Sequence, residues 1–321
     1  METGRVVGQI HKDAKRTLQS VTENQRSFTH DCHKHVERYA PGLVDEIKVV
    51  SSVSGLDLDA LLWMSLAPDY GGACGILAVS GDCTKEGIPI FGRNNDWILS
   101  VGSYTTILDA NPSGSMRSLQ FVLDPGMSCG GMNEAGLSVG VTFVMRSIAK
   151  VKPGVAANIA ARWILDNFST TDDAISYLKK IPHVAGYTIL IADAQGDMAR
   201  VEVTADRVAV ERPESGLVVA STHFMCEEML EFENTDLNFP WTYERVERIQ
   251  RWFESRKGNI TLSDAQEVLS DHGTGICCHW QEGDEEAGTV WSWTGKPGVP
   301  ELFVTDGPPC RNEYQRISFS N

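Results

Sequence analysis

Hydrophobic and polar residues follow different patterns in the first and second quarters of the chain. Up to about residue 70, Val, Ile and Leu recur around charged residues at the spacing of amphipathic helices, with a break at Pro41-Gly42 and a further helical piece at 56–66. From residue 71 to about 143, short apolar runs between glycine-containing turns predict strands. These patterns predict a helical leader followed by a region rich in β-structure.

The second half of the chain alternates between helical and strand patterns. Apolar residues recur at helical spacing between 151 and 180, with a break at Thr170-Thr171-Asp172-Asp173. A capping box formed by Ser263 and Gln266 predicts the start of a late helix. The other predicted elements are a helix at 241–257 and strands at 187–191, 199–204, 217–221 and beyond about residue 276. Without an internal repeat or linker, the simplest prediction is one α+β domain behind a helical leader.

The most distinctive stretch joins a strand pattern to reactive side chains. Cys74 opens an apolar run, a polar turn covers 81–87, and a second apolar run at 88–91 leads into Gly92-Arg93-Asn94-Asn95-Asp96. If the two runs pair as a hairpin, Arg93 and Asp96 lie beside Cys74 in space. A thiol flanked by a guanidinium and a carboxylate is a candidate nucleophile. A buried structural cysteine with a surface ion pair explains the same spacing equally well.

Composition and charge narrow the class of protein. A chain of 321 residues with 42% hydrophobic residues can bury a large core, and its net charge of −15 argues against a nucleic-acid partner. The first 20 residues are polar and mixed in charge, unlike a secretory signal, and no apolar run approaches the length of a membrane span. The eight cysteines are therefore expected to be reduced thiols. We expect a cytoplasmic protein without a membrane partner.

A second nucleophile motif is present but lacks the required context. Gly136-Leu137-Ser138-Val139-Gly140 matches the G-x-S-x-G elbow, which needs a strand before the serine and a helix after it. Here a turn precedes Ser138 and a strand pattern follows, so Ser138 is predicted to lie within a strand. This argues against a serine hydrolase.

Two further clusters could bind a metal ion or face solvent. His30–His35, with the distant Cys277-Cys278-His279, is dense in zinc-ligand residue types but lacks paired ligand spacing. A polar helix face and a buried thiol pair are the favoured interpretation, and a zinc site would require one copurifying ion per chain. Asp264 and the acidic run 282–286 are predicted to be solvated loops.

The segment GRNNDW at 92–97 resembles the G-[RQ]-N-x-D motif of N-terminal nucleophile (Ntn) hydrolases related to choloylglycine hydrolase and acid ceramidase. It is closer to the penicillin acyltransferase-like branch, the acyl-CoA:6-aminopenicillanic acid acyltransferases. Further segments resemble that branch in the expected order: GGMNEAGLSVGVTF at 130–143, YTILIADAQGDMARVEVT at 187–204, ASTHF at 220–224, GICCHW at 275–280 and DGPPCRNEY at 306–314. The resemblance covers nearly the whole chain. It depends on the order of these segments more than on any single motif.

The resemblance implies a four-layer αββα Ntn-hydrolase sandwich and assigns Cys74 as the nucleophile. Self-cleavage between Ala73 and Cys74 would make 1–73 a helical pro-segment (α chain) that stays bound and 74–321 the catalytic β chain. Cys83 is the rival nucleophile, but it lies in the predicted turn and could not head a strand.

The same resemblance assigns the other site residues. Arg93 would favour the thiolate and hold substrate, and Asp96 would orient the new α-ammonium group. Asn95, Thr142, Thr222 and His223 are the predicted oxyanion and substrate contacts, although asparagines are common at the two threonine positions, and His223 is as easily a core histidine.

The implied reaction needs only the N-terminal cysteine. A free α-amine titrates near pH ~8, so the amine can act as a neutral base beside its own thiol. The resemblance implies an amidase or an acyltransferase that acts on a small-molecule amide or acyl-CoA-type substrate through a thioester, without a metal or organic cofactor. The alternative is an uncleaved, non-catalytic binding member of the fold. The sequence leaves the oligomeric state open.

Overall fold

The computed structural model describes residues 20–66, 73–124, 127–144, 147–234, 240–273 and 275–320, together with residues 5, 8, 9 and 12. Two antiparallel sheets lie face to face, and helices cover the outer face of each. The predicted α+β fold with four αββα layers is confirmed. The helical pattern predicted for residues 1–19 and the start of the hairpin at Gly71-Gly72 fall outside the described ranges, apart from the four single residues.

The described ranges contain seven α-helices, which we number in chain order. They are α1 (Glu23–Tyr39), α2 (Leu43–Ser54), α3 (Leu58–Leu66), α4 (Ala157–Asn167), α5 (Thr171–Lys180), α6 (Pro240–Arg256) and α7 (Leu262–Ser270). Short 3-10 helices lie at Gly81–Cys83, Leu99–Tyr104 and Glu227–Phe232.

The first sheet carries the candidate site and has the strand order β10-β1-β2-β12-β13-β14, with β11 paired to β12. Its strands are β1 (Ala73–Val79), β2 (Ile90–Ile98), β10 (Leu217–Ala220), β11 (His279–Glu282), β12 (Glu285–Gly295), β13 (Glu301–Val304) and β14 (Gln315–Ser318). The second sheet runs β3 to β9 in chain order. Its strands are β3 (Thr106–Ala110), β4 (Ser118–Asp124), β5 (Met127–Asn133), β6 (Ser138–Phe143), β7 (Tyr187–Ala192), β8 (Met198–Val203) and β9 (Val208–Glu211).

Strand β1 reads as a continuous apolar run because both of its faces are covered. Ile76 packs between the sheets with Phe91, and Leu77 packs on the other face against α6 and α7. An antiparallel strand with one solvated face would alternate apolar and polar residues instead. Phe91 stacks on Trp293 with ring centroids 5.0 Å apart, which fixes the centre of the inter-sheet core.

The leader helices α1 to α3 pack against the helical layer on the second sheet, where their apolar residues join one core with α4 and α5. A buried ion cluster lies at this contact. Arg162 on α4 donates to both carboxylate oxygens of Glu46 on α2 at 3.2 Å each and to Asp166 at 2.8 Å. All three side chains are buried, and burial raises the pKa of Asp166 to about 6. A charge cluster of this kind ties the leader to the rest of the chain.

Several predicted elements need correction. The second hairpin strand does not stop at residue 91 but continues to Ile98, so the polar cluster lies within a strand. The capping box of α7 is formed by Thr261 and Asp264, because Asp264 lies at the third helical position and bonds the Thr261 N–H; the predicted Ser263–Gln266 box was wrong. Asp264 is therefore part of the helix cap, and residues 283–286, at the tip of the β11–β12 hairpin, are exposed.

Other predictions agree with the structure. Thr170 is the N-cap residue of α5, in agreement with the break between helices that the sequence predicts at Thr170-Thr171-Asp172-Asp173. Ser138 is the buried first residue of β6, and a strand follows it, so the nucleophile elbow is absent. Cys32 is buried on α1 beside the polar pair of His33 and Glu37. None of the helices that the structure describes is both long and apolar enough to pass through a bilayer.

Candidate active site

Strands β1 and β2 pair as the antiparallel hairpin that the sequence predicts. Cys74 lies opposite Asn95, Ala73 opposite Asp96, and Ile76 opposite Arg93. The pleat of β2 then sends alternate side chains to opposite faces of the sheet. Cys74, Arg93, Asn95 and Asp96 are all at most 2% exposed. The hairpin therefore brings four of the predicted site residues together in the interior.

The Arg93 guanidinium lies directly against the thiol. Its Nη2 is 3.2 Å from Cys74 Sγ and 3.0 Å from Asn95 Oδ1, and its Nη1 donates to the carbonyl oxygen of Cys129 on β5. The Trp291 ring lies 5.4 Å from the guanidinium carbon. Burial alone would lower the pKa of Arg93, but the neighbouring Cys74 and Cys129 raise it above its ordinary value. The guanidinium is thus a fixed positive charge that can stabilise a thiolate.

The Asn95 side chain lies next to the sulfur, and one of its two polar atoms has no hydrogen-bond partner among the described residues. Its Oδ1 lies 3.7 Å from Cys74 Sγ, and its buried Nδ2 has no hydrogen-bond partner among the described residues. A buried donor without a partner is costly, typically about 1–3 kcal/mol. This N–H group is positioned to bind an oxygen of a ligand at the thiol.

Asp96 points to the opposite face of the sheet and has two partners. Arg245 on α6 donates from Nη2 to Asp96 Oδ2 at 2.7 Å, and Thr289 donates to Oδ1 at 2.7 Å. Both charged side chains are fully buried. Burial alone would lower the pKa of Arg245, but the adjacent Asp96 carboxylate raises it above its ordinary value.

Arg245 is the site residue that sequence reasoning missed. Its side chain packs against the backbone at Gly75, where a Cβ atom would lie 3.0 Å from Arg245 Cδ. A glycine directly after the candidate nucleophile therefore makes room for the guanidinium. One signal in the sequence could have indicated such a residue. A carboxylate such as Asp96 that is buried in a strand needs a positively charged partner that is buried beside it. Nothing in the local sequence of α6 identifies which arginine supplies it.

Thr222 and His223 form a separate group around Thr242 on α6. Thr222 Oγ1 donates to Thr242 Oγ1 at 3.1 Å, and His223 Nδ1 lies 2.7 Å from the same atom. Glu202 on β8 holds the loop that carries them by accepting the backbone N–H groups of Met225 and Cys226. The pairing of Ile76 with Ala220 places Thr222 level with Cys74 along the sheet.

Thr142 lies on β6 of the facing sheet, where its described hydrogen bond is a long one, 3.5 Å to the carbonyl oxygen of Phe143. Two residues earlier, Gly140 faces Ile76 across the inter-sheet space, since a Cβ there would lie 3.2 Å from Ile76. Thr142 therefore faces the first sheet as well. Its hydroxyl makes no described contact with Cys74.

Cys83 lies at the far end of the same hairpin from Arg93. It ends the short 3-10 helix, and its sulfur lies 3.5 Å from Ser80 Oγ and 3.7 Å from the carbonyl oxygen of Ser215. No positive charge contacts it among the described residues.

A cavity of about 370 Å³ opens beside Trp291, whose other neighbours are Phe121 and Arg93. Leu99, Phe121, Val304 and Ile317 are among its apolar lining residues, and Asp306 and Gln315 are among its polar ones. Its volume lies in the range of small-molecule sites.

The family comparison agrees with the site. The model of the family described as acyl-coenzyme A:6-aminopenicillanic acid acyl-transferase matches residues 83–299, about two thirds of the chain. The chain belongs to this family. The matched region begins at Cys83, the rival nucleophile, and contains Arg93, Asn95 and Asp96, whereas Cys74 lies before it. A search of curated proteins found no match.

Solved structures share the fold of this family member. A conjugated bile acid hydrolase variant from Clostridium perfringens is 16% identical, with 77% of this chain and 93% of that one covered and a TM-score of 0.53. Penicillin V acylase from Agrobacterium tumefaciens is 17% identical, with coverages of 76% and 86% and a TM-score of 0.53. The Caenorhabditis elegans ortholog of N-acylethanolamine-hydrolyzing acid amidase is 16% identical, with coverages of 71% and 94% and a TM-score of 0.50. At these identities the likeness shows the Ntn-hydrolase sandwich fold.

Proposed function

We propose that this family member is a self-processing N-terminal-cysteine amidohydrolase or acyltransferase that acts on a linear amide other than a peptide bond. The observation that carries the proposal is the position of the Cys74 sulfur, 3.2 Å from Arg93 Nη2 and directly across from Asn95. The names of the family and of the structural neighbours, an acyl-transferase, a hydrolase, an acylase and an amidase, support this class of reaction.

Self-processing would use the sulfur before any substrate arrives. Cys74 Sγ attacks the carbonyl carbon of Ala73, so that a C–S bond forms and the C–N bond of the 73–74 peptide breaks, with the proton passing from sulfur to nitrogen. Water then hydrolyses the thioester and leaves a carboxylate on Ala73 and a free amine on Cys74. Cys74 is 2% exposed in the uncleaved chain.

The new α-amine would then serve as the base. It takes the thiol proton, and the thiolate, stabilised by Arg93, attacks the acyl carbonyl of the substrate. The unpaired Nδ2 of Asn95 donates to the developing oxyanion, a contact of the kind worth about 10²–10³ in kcat. The C–N bond breaks, the amine leaves with the proton, and water or an acyl acceptor resolves the thioester. Asp96, held by Arg245 and paired across the strands with Ala73, orients the α-ammonium group.

The apolar cavity beside Trp291 is the proposed site for the acyl portion of the substrate. Trp291 forms part of its wall and also contacts the guanidinium that lies on the thiol. Cys74 and Arg93 do not line the cavity, so an acyl chain bound there would have to reach the thiol past Trp291. We also propose that the reaction uses no cofactor, because the amine, thiol and guanidinium supply every proton and charge that it needs.

A second function, an uncleaved binding protein, is favoured by one observation. Threonines stand where the family commonly has asparagines, and the Thr222 hydroxyl proton is already donated to Thr242. A non-catalytic member would not need those donors.

Denaturing intact-mass spectrometry separates the two functions. The wild-type protein is expected to yield fragments 1–73 and 74–321, whose masses sum to the full chain plus one water. The Cys74→Ala variant should give the full chain alone. Cys83→Ala is the matched control, because it removes the other thiol of the same hairpin and should leave cleavage intact. Full-length mass in the wild type over several days would refute self-processing and favour the binding function.

The acyl-transfer step has its own readout. Purified protein mixed with a panel of N-acyl amines or acyl-CoA thioesters should gain the acyl mass on fragment 74–321, and the gain should be absent in the Cys74→Ala variant. Free acid accumulating from the adduct indicates hydrolysis, whereas a new amide formed from an added amine indicates transfer. No adduct from any member of the panel by a cleaved protein would contradict the thioester.

A further inference from the structure

A second cluster of reactive side chains lies where β11 begins and near the last turn of the described chain. His272, His279 and Cys310 each offer a ligand atom, and these atoms all lie within 4.8 Å of one another. His279 Nε2 is 3.3 Å from Cys310 Sγ and 3.8 Å from Cys277 Sγ. The segment 272–279 and the distant Cys310 thus meet in one small volume, and none of these side chains takes part in the proposed reaction.

These separations fit tetrahedral coordination of zinc. With Zn–S near 2.3 Å and Zn–N near 2.0–2.1 Å, a tetrahedral ion keeps a ligating nitrogen and a ligating sulfur about 3.5 Å apart. The two nitrogen–sulfur distances around His279 lie on either side of that value. Two imidazoles and two thiols also form one of the common structural zinc ligand sets.

The imidazole of His272 is already oriented as a metal ligand. Its Nδ1 lies 3.1 Å from the carbonyl oxygen of Cys277, which makes Nδ1 the donor and leaves the lone pair on Nε2. Metal-binding histidines usually donate their second ring N–H to a carbonyl or carboxylate in this manner. The His272 and His279 rings pack edge to face, with centroids 4.8 Å apart.

We propose that His272, His279, Cys310 and Cys277 bind one Zn²⁺ ion as a structural site. The ion would fasten the segment before β11 to the turn at 308–311. Between two of the ligands lies Cys278, whose sulfur accepts from Arg245 Nη2 at 3.1 Å and whose backbone N–H donates to Thr289. Arg245 and Thr289 are the two partners of Asp96, so the ion would steady the Asp96 network. Cys277 and His279 belong to the downstream part of the cluster considered in the sequence, but His30–His35 does not contribute to this site, and its ion takes no part in the reaction.

Metal analysis of the full chain tests the proposal. Protein expressed in zinc-supplemented medium and purified with a non-thiol reductant should contain one zinc per chain. His279→Asn and Cys310→Ser should each weaken Zn²⁺ binding by more than about 100-fold in a chelator competition, since losing even a supporting contact costs 10–100-fold. His30→Asn and Cys226→Ser are the matched controls outside the cluster and should bind like the wild type.

Cobalt substitution gives a second readout that does not depend on activity. Co²⁺ added to the metal-free protein should give the visible spectrum of a tetrahedral ion with a thiolate-to-cobalt charge-transfer band, and Cys310→Ser should weaken that band. The proposal is overturned if no charge-transfer band forms, if zinc content is the same in the cluster variants and the wild type, or if a Cys277–Cys310 disulfide is found in place of the ion.

Discussion

Replacing Arg245 with methionine should leave the buried Asp96 carboxylate with a single neutral partner, Thr289. Removing one member of a buried ion pair costs about 3–5 kcal/mol, because the remaining charge stays out of water. Both side chains are fully buried, and the guanidinium–carboxylate distance is 2.7 Å, so this range applies without a reduction for solvent screening. The entropy of unfolding is about 2.1 cal/mol/K per residue, or ~0.67 kcal/mol/K for the 321 residues, which converts the cost into a fall in Tm of about 4–8 °C.

The measurement is thermal unfolding followed by circular dichroism in a Cys74→Ala background, which keeps every molecule as one chain. Arg248→Met is the matched control: it lies three residues further along α6, is partly exposed, and pairs with Glu244 at 3.3 Å. Its Tm should fall by less than about 1.5 °C, since such pairs contribute at most about 1 kcal/mol. Adding Asp96→Asn to Arg245→Met should recover part of the loss in Tm, because the double variant no longer has an unpaired buried carboxylate. Equal shifts for the two arginine variants, or additive losses in the double variant, would refute the reasoning.

Three further predictions concern the leader, the pH dependence and the cavity. Glu46→Gln should cost about 1–3 kcal/mol by weakening the charged contact with Arg162, and after cleavage it should release the leader at a lower urea concentration in size-exclusion chromatography than the wild type or the exposed-site control Glu37→Gln. Burial raises the pKa of Asp166 from 3.8 to about 6, so its contribution is fully present below pH 3.8 and is lost as the pH rises through 6. Relative to Asp166→Asn, wild-type stability from urea unfolding should therefore fall by up to about 3 kcal/mol between pH 4 and pH 7; a constant difference would contradict the assignment. Ile317→Trp should fill part of the cavity and raise KM for long acyl chains much more than for short ones, and an equal effect on both would exclude the cavity as the acyl site.

The hairpin could be predicted because the residues that determine it are close together in the sequence. Two apolar runs and one turn define an antiparallel pair, and the pairing alone brings Cys74 to Asn95 and Ala73 to Asp96. The succession of helical and strand patterns predicted an α+β domain behind a helical leader, and the layer order followed from the family resemblance. These features need no knowledge of which helix packs on which sheet.

Contacts between distant elements were beyond the reach of the sequence. Arg245 lies 149 positions from Asp96, and any of several arginines on the same helix could have been its partner. Cys310 reaches His279 from 31 positions away. The capping box of α7 failed for a different reason: the sequence T-L-S-D-A-Q offers two overlapping cap patterns, and the earlier one, Thr261 with Asp264, is the one that forms.

The alternation of side chains along β2 has a consequence for how this site can vary. Arg93 and Asn95 face the thiol, whereas Asn94 and Asp96 face the helical layer, where Asn94 bonds the carbonyl oxygens of Leu269 and Ile276. The positions of the reactive side chains are thus determined by the register of the two strands and not by the number of residues between Cys74 and Arg93. Extra residues at the exposed tip of the turn, 85–87, would lengthen that interval without moving any site atom, whereas one residue inserted within β2 would exchange the two faces. Relatives that keep the site can therefore differ freely in turn length, and a motif written with a fixed spacing would miss them.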